Sequence, residues 1–308
     1  MYKLVKYIKH KINRILNILR SADDTEKILT GKKLININNS KTPKNIEDIE
    51  FKIFSQFGDD GIIQFLINKI ELDYKYHNFI EFGVENYKES NTRFLLLNNN
   101  WSGLIIDSSK KNTIEIKNSN YFWKHDLEVK NNFITRENIN NIIKDSKIDK
   151  KHIGILSIDI DGNDYWVWKE INVIDPIIVI IEYNSSFGFV NKVSIPYDEN
   201  FSRTKAHHSN LYWGASLEAL KFLADKKGYK FFSTNSAGNN AYFVKDSFFT
   251  KIDFVLKNNS YEGKFRESRD KDGFKTFVHY KDKLGIIKDL TVEDVEKQKL
   301  LKISELKN

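Results

Sequence analysis

The sequence predicts an α/β protein built on a largely parallel β-sheet that helices cover. Four short apolar runs indicate the strands, and segments with helical spacing of apolar residues separate several of them. Strands that are hydrophobic on both faces and alternate with helices are typical of parallel sheets buried between helices. The four runs are residues 78–84 (NFIEFGV), 103–107 (GLIID), 154–159 (GILSID) and 177–183 (IIVIIEY).

The remaining elements follow from the same spacing argument. The predicted helices, in chain order, span residues 62–70, 89–99 and 216–227, and Gly228 stops the last of them. The weaker predicted strands span residues 121–123, 229–233 and 241–244.

Both ends of the chain differ from this central part. Residues 1–20 carry six basic side chains and no acid, with Val5, Ile8, Ile12, Ile15 and Leu19 at helical spacing. This pattern predicts a basic amphipathic helix. Docking at an anionic membrane surface or on an acidic partner is one interpretation; packing on its own body or on a dimer mate is the commoner one.

We therefore expect three parts. Residues 1–50 comprise the basic helix and a polar linker that begins near residue 21, residues 51–250 form the α/β domain, and residues 251–308 form a charged extension. The extension is expected to end in a helix with Thr291 as its N-cap, three residues before Asp294.

Composition excludes several classes of chemistry and partner. The 308 residues contain no cysteine, so disulfides, a thiolate nucleophile, iron–sulfur clusters and cysteine-ligated zinc are excluded. The net charge is +7, and six of these charges lie in residues 1–20, so the body lacks the basic stripe of a nucleic-acid-binding enzyme. No apolar run or leader-type segment suggests export, and we expect a cytoplasmic protein, with residues 1–20 as its peripheral membrane contact if there is one.

Polar side chains collect where the predicted strands end. Ligands of open α/β sheets bind beyond the carboxyl ends of the strands, and carboxylates emerging from apolar strands need solvent, a cation or a ligand. Four strands ending this way predict a binding site. Its members are Glu81, Gly83, Glu85, Asn86, Asp107, Asp159, Asp161, Asn163, Glu182 and Asn184.

The loop after the first strand indicates the type of ligand. Residues 82–86 contain one glycine and two acids, whereas a dinucleotide site needs a glycine-rich turn whose amides reach a pyrophosphate. An acidic loop suits a ligand with an adenosine and a cationic end, such as S-adenosylmethionine. Asp107, 24 positions after Gly83, stands where an acid accepts hydrogen bonds from ribose hydroxyls.

Several ordered segments resemble FkbM-type class I S-adenosylmethionine-dependent methyltransferases, over about residues 51–245. The segments are 54–60 (FSQFGDD), 79–96 (FIEFGVENYKESNTRFLL), 157–168 (SIDIDGNDYWVW), 179–184 (VIIEYN) and 212–220 (YWGASLEAL). One departure is Asp159-Ile160-Asp161-Gly162, where family members more often have Asp-Val-Glu-Gly.

The resemblance implies a Rossmann-like, mostly parallel seven-stranded sheet with helices on both faces. It also implies a cofactor site and an acceptor class, namely a hydroxyl of a sugar or nucleotide sugar in surface-glycan or secondary-metabolite biosynthesis. The expected cofactor-binding residues, from the resemblance and the strand ends together, are Gln56, Asp59, Glu81, Gly83, Glu85, Asn91, Asp107, Asp126 and Asp159.

Methyl transfer to a sugar hydroxyl benefits from a general base or a metal. Asp161, His207 and His208 are the candidate catalytic residues. Loop histidines more often cap or face solvent, and Asp161 is as well explained by a turn with Gly162. Asp159, Asp161 and Glu182 offer oxygen ligands for magnesium or manganese, and metal dependence stays open, as does the oligomeric state.

Two alternatives remain. Asp159-x-Asp161 matches a pattern that holds a metal in nucleotide-sugar glycosyltransferases, although Glu81 and Glu85 serve no purpose near a diphosphate. A non-catalytic scaffold recruited through residues 1–20 is the other, and the acids at four strand ends argue against it.

Overall fold

The computed structural model describes the backbone of residues 2–306 and the side chains of Lys11 and residues 22–306. Its main feature is a seven-stranded sheet in the order β3-β2-β1-β4-β5-β8-β7. The strand β8 is antiparallel to both neighbours, and the other pairs are parallel. These strands are β1 Asn78–Phe82, β2 Ser102–Asp107, β3 Leu127–Asn131, β4 Ile155–Ile158, β5 Ile178–Glu182, β7 Tyr229–Thr234 and β8 Asn240–Lys245.

Helices cover both faces of this sheet. They are α1 Tyr2–Asn39, α2 Asp59–Lys69, α3 Arg93–Asn99, α4 Lys110–Lys117, α5 Ile139–Lys144, α6 Asp164–Glu170, α7 Arg203–Ala206, α8 Leu217–Lys227, α9 Asp246–Phe249 and α10 Lys283–Ile287.

Alternate residues of the strands enter two separate apolar cores. In β1, Ile80 and Phe82 pack with α5, α6 and α8, whereas Phe79 packs with α2, α3 and α4 on the other face. The predicted Rossmann-like, mostly parallel seven-stranded sheet with helices on both faces is confirmed. The predicted end of α8 is also correct, since Ser216 caps its first turn and Gly228 ends it with a φ of +79°.

The linker expected over residues 21–50 is wrong as far as residue 39, because α1 continues to Asn39. Tertiary packing holds this polar segment helical. Ile28, Leu34 and Ile35 pack on a small apolar cluster that includes Phe94, and Asp24 forms an ion pair with Arg93. The apolar stripe predicted for residues 5–19 lies outside the side chains described.

Two predictions for the later chain are also wrong. Residues 121–123 form no strand, because the third strand begins at Leu127, after Asp126. Thr291 begins a strand instead of a helix: β9 (Thr291–Asp294) and β10 (Lys299–Lys302) form a hairpin, and β9 also pairs with β6 (Val193–Ser194). Pairing with β6 and burial of Val292 select the extended conformation. The division into three parts stays a prediction.

No helix in the described part of the chain is both long and apolar enough to cross a bilayer.

Candidate functional site

A cavity of about 600 Å³ lies at the carboxyl ends of β1, β2, β4 and β5. The order of the strands reverses between β1 and β4, which is where open α/β sheets bind ligands. Eleven of the residues predicted from the sequence line it together: Gln56, Glu81, Gly83, Glu85, Asn91, Asp107, Asp159, Asp161, Asn163, Glu182 and Asn184. Asn86, also predicted, does not line it.

The loop after β1 approaches the end of β4 closely. Gly83 has a φ of +71°, and a Cβ atom built on it would lie 1.6 Å from the carbonyl oxygen of Asp159. Glu85, two residues on, also has a positive φ, of 46°. Left-handed backbone at a non-glycine residue is uncommon and concentrates at functional sites. Position 83 therefore favours glycine, because any side chain there would meet both the positive φ and the close approach of Asp159.

The side chain of Glu81 fixes residues 90–92, which form part of the cavity wall. It is 5% exposed, and its carboxylate accepts hydrogen bonds from the Ser90 and Thr92 hydroxyls at 2.6 and 2.5 Å and from the backbone N–H of Asn91 at 2.9 Å. Burial raises its pKa in spite of these bonds. Both oxygens are thus engaged in fixing residues 90–92, and Asn91 in turn donates to Ser157 Oγ at 3.1 Å.

Asp107 presents one oxygen to the cavity. Its Oδ1 accepts from the backbone N–H of Ser109 at 2.7 Å and from Asn112 Nδ2 at 3.3 Å, and Oδ2 has no hydrogen-bond partner in the described part of the chain. The carboxylate is oriented by one oxygen and left with lone pairs on the other. It can accept hydrogen bonds from vicinal hydroxyl groups, and its role at a ribose stays a prediction.

Asp164, at the start of α6, shapes the loop after β4. It accepts hydrogen bonds from the backbone N–H groups of Ile160 at 2.8 Å and Gly162 at 2.9 Å, and burial raises its pKa to about 6. Between them Asp161 has a φ of +59° and an ion pair with Arg203 at 2.7 Å. Asp161 therefore lies in a turn that the side chain of Asp164 holds, and its own carboxylate lines the cavity.

Three carboxylates converge at the centre of the cavity. Asp159, Asp161 and Glu182 each offer an oxygen, and these oxygens lie within 4.8 Å of one another. Burial, followed by the charges of the other acids, raises the pKa of Asp159 and of Glu182. Glu182 Oε2 and Asn163 Oδ1 are buried with no hydrogen-bond partner. Hard oxygen donors with unused lone pairs fit a divalent cation such as magnesium or manganese.

Two basic residues that sequence reasoning missed also line the cavity. Arg203, in α7, and Lys283, at the start of α10, come from segments without apolar periodicity. Arg203 lies 4.5 Å from the centre of the Trp213 ring, which also lines the cavity. No local signal marks Lys283, since it stands in the charged C-terminal stretch.

Two expected cofactor ligands lie elsewhere. Asp59 is fully buried under the β7–β8 connection, where it accepts hydrogen bonds from Asn235 and Asn240 at 3.0 Å each and from the Tyr242 hydroxyl. Asp126 is exposed at the amino end of β3, the opposite edge of the sheet, because that strand begins after it.

The predicted catalytic histidines do not line the cavity either. His207 Nδ1 is 2.7 Å from Ser209 Oγ, and its ring centre is 4.1 Å from that of His208. Burial and the neighbouring charge of His208 lower the pKa of His207. Both histidines therefore lie in a loop and contact residues close to them in sequence. This is the alternative that the sequence favoured over a catalytic role.

Comparisons with known proteins give structural similarity alone. No model of a protein family matches the chain, and no curated protein matches it. Among solved structures, an O-methyltransferase from Bacillus cereus with SAH is 13% identical, with a TM-score of 0.39 over 70% of this chain and 90% of its own. An S-adenosylmethionine-dependent methyltransferase from Clostridium acetobutylicum is 10% identical, with a TM-score of 0.38 over 61% and 90%. The N-terminal domain of EvdMO1 with SAH and D-fucose is 10% identical, with a TM-score of 0.34 over 71% and 94%.

Proposed function

We propose that the protein is an S-adenosylmethionine-dependent O-methyltransferase. The observation that carries this proposal is the joint placement of Gly83 and Asp107 at one wall of the strand-end cavity. The first lets the loop after β1 pass close to β4, and the second offers a free carboxylate oxygen at the end of β2. The hydroxyl groups of a ribose in this position would donate hydrogen bonds to Asp107.

The charge of the same wall supports a cationic ligand. Glu85, Asp107 and Asp159 line the cavity around the loop, and no lysine or arginine lies among residues 81–87. A pyrophosphate would be repelled there, whereas a sulfonium and an amino group would be attracted. Desolvation in a cavity strengthens this preference.

The protein's part in methyl transfer is mainly alignment. An in-line displacement needs the acceptor oxygen, the methyl carbon and the sulfur held in a row, and effective concentration then lowers the barrier. We place the acceptor hydroxyl beside Asp159, Asp161 and Glu182, one of which would take its proton. Asp161 is the base we propose, because 64% of its side chain is exposed and Arg203 orients it.

A divalent metal would be an alternative to a free base. Asp159, Asp161 and Glu182 would hold it, and Asp161 would then act as a ligand and not as the base. Glu182 Oε2 and Asn163 Oδ1 are buried without a hydrogen-bond partner, and a cation would supply one. A bound cation supplies Lewis acidity that makes a hydroxyl more acidic. Titration with Mn²⁺ tests this: Glu182→Gln should weaken binding tenfold or more, whereas exchange of the exposed Asp126 for Asn should not.

For the acceptor, we propose a hydroxyl of a sugar or nucleotide sugar in surface-glycan or secondary-metabolite synthesis. The sequence resemblance described above supports this class. We also propose action in the cytoplasm, with residues 1–20, which carry six basic side chains and no acid, as a contact to the membrane or to a second copy.

Isothermal titration distinguishes the candidate functions. The purified protein is titrated with S-adenosylmethionine, with NAD, and with UDP- and GDP-sugars with and without Mn²⁺. Micromolar binding of S-adenosylmethionine and none of NAD is the expected result. Binding of a nucleotide sugar alone, and only with Mn²⁺, would identify the acidic trio as a glycosyltransferase metal site and overturn the proposal.

A further inference from the structure

A buried lysine, Lys283, also lines the cavity. Lys283 is 5% exposed, and its Nζ donates a hydrogen bond to the carbonyl oxygen of Phe265 at 2.6 Å. An ammonium has three N–H donors, so two are left over. In the described part of the chain no carboxylate forms an ion pair with it.

Arg203 lies near this lysine and is held rigidly. Its Nη1 donates to Asp161 Oδ1 at 2.7 Å, its Nε donates to the carbonyl oxygen of Asn210 at 2.9 Å, and its guanidinium stacks on Trp213. Nη2 has no hydrogen-bond partner among the residues described. Three contacts thus fix the orientation of the guanidinium, and its Nη2 group is available to a ligand.

The two cations are not neutralised in the same way. Arg203 has a carboxylate partner, since its Nη1 lies 2.7 Å from Asp161 Oδ1. Lys283 Nζ has only the neutral carbonyl oxygen of Phe265 among the described residues, and burial lowers the pKa of this lysine. The ammonium of Lys283 therefore has no counter-charge in direct contact.

Within the proposed function, this lysine lies on the acceptor side. Gly83 and Asp107 mark the cofactor wall at β1 and β2, whereas Arg203 pairs with Asp161, after β4, and the Tyr280 hydroxyl ties the segment of Lys283 to Ser185, after β5. An ammonium buried here without a counter-charge is costly, and a bound anion would offset that cost.

We propose that the acceptor carries an anionic oxygen group, a carboxylate or a phosphate, which Arg203 and Lys283 bind. The inference rests on the proposed function, because it divides the cavity into a cofactor wall and an acceptor wall. A uronic acid, a sugar phosphate and a nucleotide sugar each have this chemistry. A sugar with hydroxyl groups alone would leave the ammonium of Lys283 unpaired.

Three matched probes test the proposal by calorimetry, on the full chain with SAH: glucose, glucuronate and glucose 1-phosphate. At least one of the charged probes should bind about tenfold or more tightly than glucose, the size of effect expected for a charge-assisted hydrogen bond. Glucuronate and glucose 1-phosphate distinguish the carboxylate from the phosphate. Lys283→Met should reduce the binding of the charged probe to that of glucose, and Lys283→Arg should retain most of it.

The matched control is Lys281→Met, which removes the same charge from an exposed position two residues away and should change nothing. Equal affinity for all three probes, no detectable binding of either anion, or unchanged anion binding by Lys283→Met would each overturn the inference. The binding of S-adenosylmethionine by the same variants separates this failure from that of the proposed function. Anion binding that depends on Lys283 in a protein without affinity for S-adenosylmethionine would retain the anion site and reject the methyltransferase.

Discussion

A Cβ atom on Gly83 would overlap the carbonyl oxygen of Asp159, since the two would be 1.6 Å apart. The end of β1 and the end of β4 are thus in backbone contact at the cavity. Space and conformation both select glycine, because φ is +71°.

Gly83→Ala should therefore cost more than conformational strain. Gly228 is the matched control: its φ is +79° and no atom lies within 4 Å of a Cβ built there. We expect Gly228→Ala to lower the free energy of unfolding by about 1 kcal/mol, and Gly83→Ala by about 3 kcal/mol or more, with loss of cofactor binding. Urea denaturation measures both, and equal losses would show that the contact with Asp159 relaxes freely.

Asp107→Ala should weaken the binding of S-adenosylmethionine more than tenfold, about 1.4 kcal/mol. The carboxylate keeps Oδ2 for a ligand, so the loss should appear mainly in affinity. Asp126→Ala serves as the control, because Asp126 is an exposed aspartate at the opposite edge of the sheet. Calorimetric affinity equal to that of the wild type would exclude Asp107 from the cofactor site.

Asp59→Ala should reduce stability and leave the affinity for S-adenosylmethionine unchanged. Three side chains from the β7–β8 region donate to its Oδ1, and each would lose its acceptor in a buried place. We expect the free energy of unfolding to fall by about 3 kcal/mol or more, with affinity for S-adenosylmethionine unchanged in the folded protein at low temperature. A selective loss of affinity at full stability would restore Asp59 to the cofactor site.

Asp60 should make stability depend on pH. Burial raises its pKa to about 6, although three backbone N–H groups donate to it. The unfolded pKa is about 3.9, so its protonation favours the folded state below about pH 4, and this contribution declines up to about pH 6, by about 3 kcal/mol in all.

The measurement is the difference in unfolding free energy between the wild type and Asp60→Asn from pH 4 to 8. This difference should change in favour of the variant between about pH 4 and 6 and stay level above that range. A difference independent of pH would contradict the raised pKa.

The strand ends were predictable because their signal is local. An acid that directly follows a buried apolar run, as Asp107 and Asp159 do, can be read from a few neighbouring residues. The position of β3 was not predictable in this way, since the aromatic residues 121–123 resemble a strand better than Leu127–Asn131 does. Leu127–Asn131 forms the strand because it pairs with β2. Asp126 then precedes the strand and lies at its amino end, away from the cavity.

The basic half of the site depends on long-range contacts. Lys283 follows β5 by 101 positions, and it reaches the cavity through packing of the C-terminal segment, where Tyr280 donates a hydrogen bond to the carbonyl oxygen of Ser185 at 2.5 Å. No spacing rule relates residues so far apart. The partners of Glu81 are close in sequence, but they lie in a loop without regular spacing, so their contacts could be found only after residues 90–92 were placed.

The strand order has a consequence for how the protein folds. β8 lies between β5 and β7, so β7 cannot join the sheet before β8 is made. The two strands form a hairpin whose contacts are local in sequence, and hairpins of this kind form before distant pairings, because closing a short loop costs less entropy. Its connection supplies Gly238 and Asn239 to the cavity. Docking of one hairpin on β5 thus completes the sheet and one wall of the binding site in a single event, so a nascent chain that ends before residue 245 has neither.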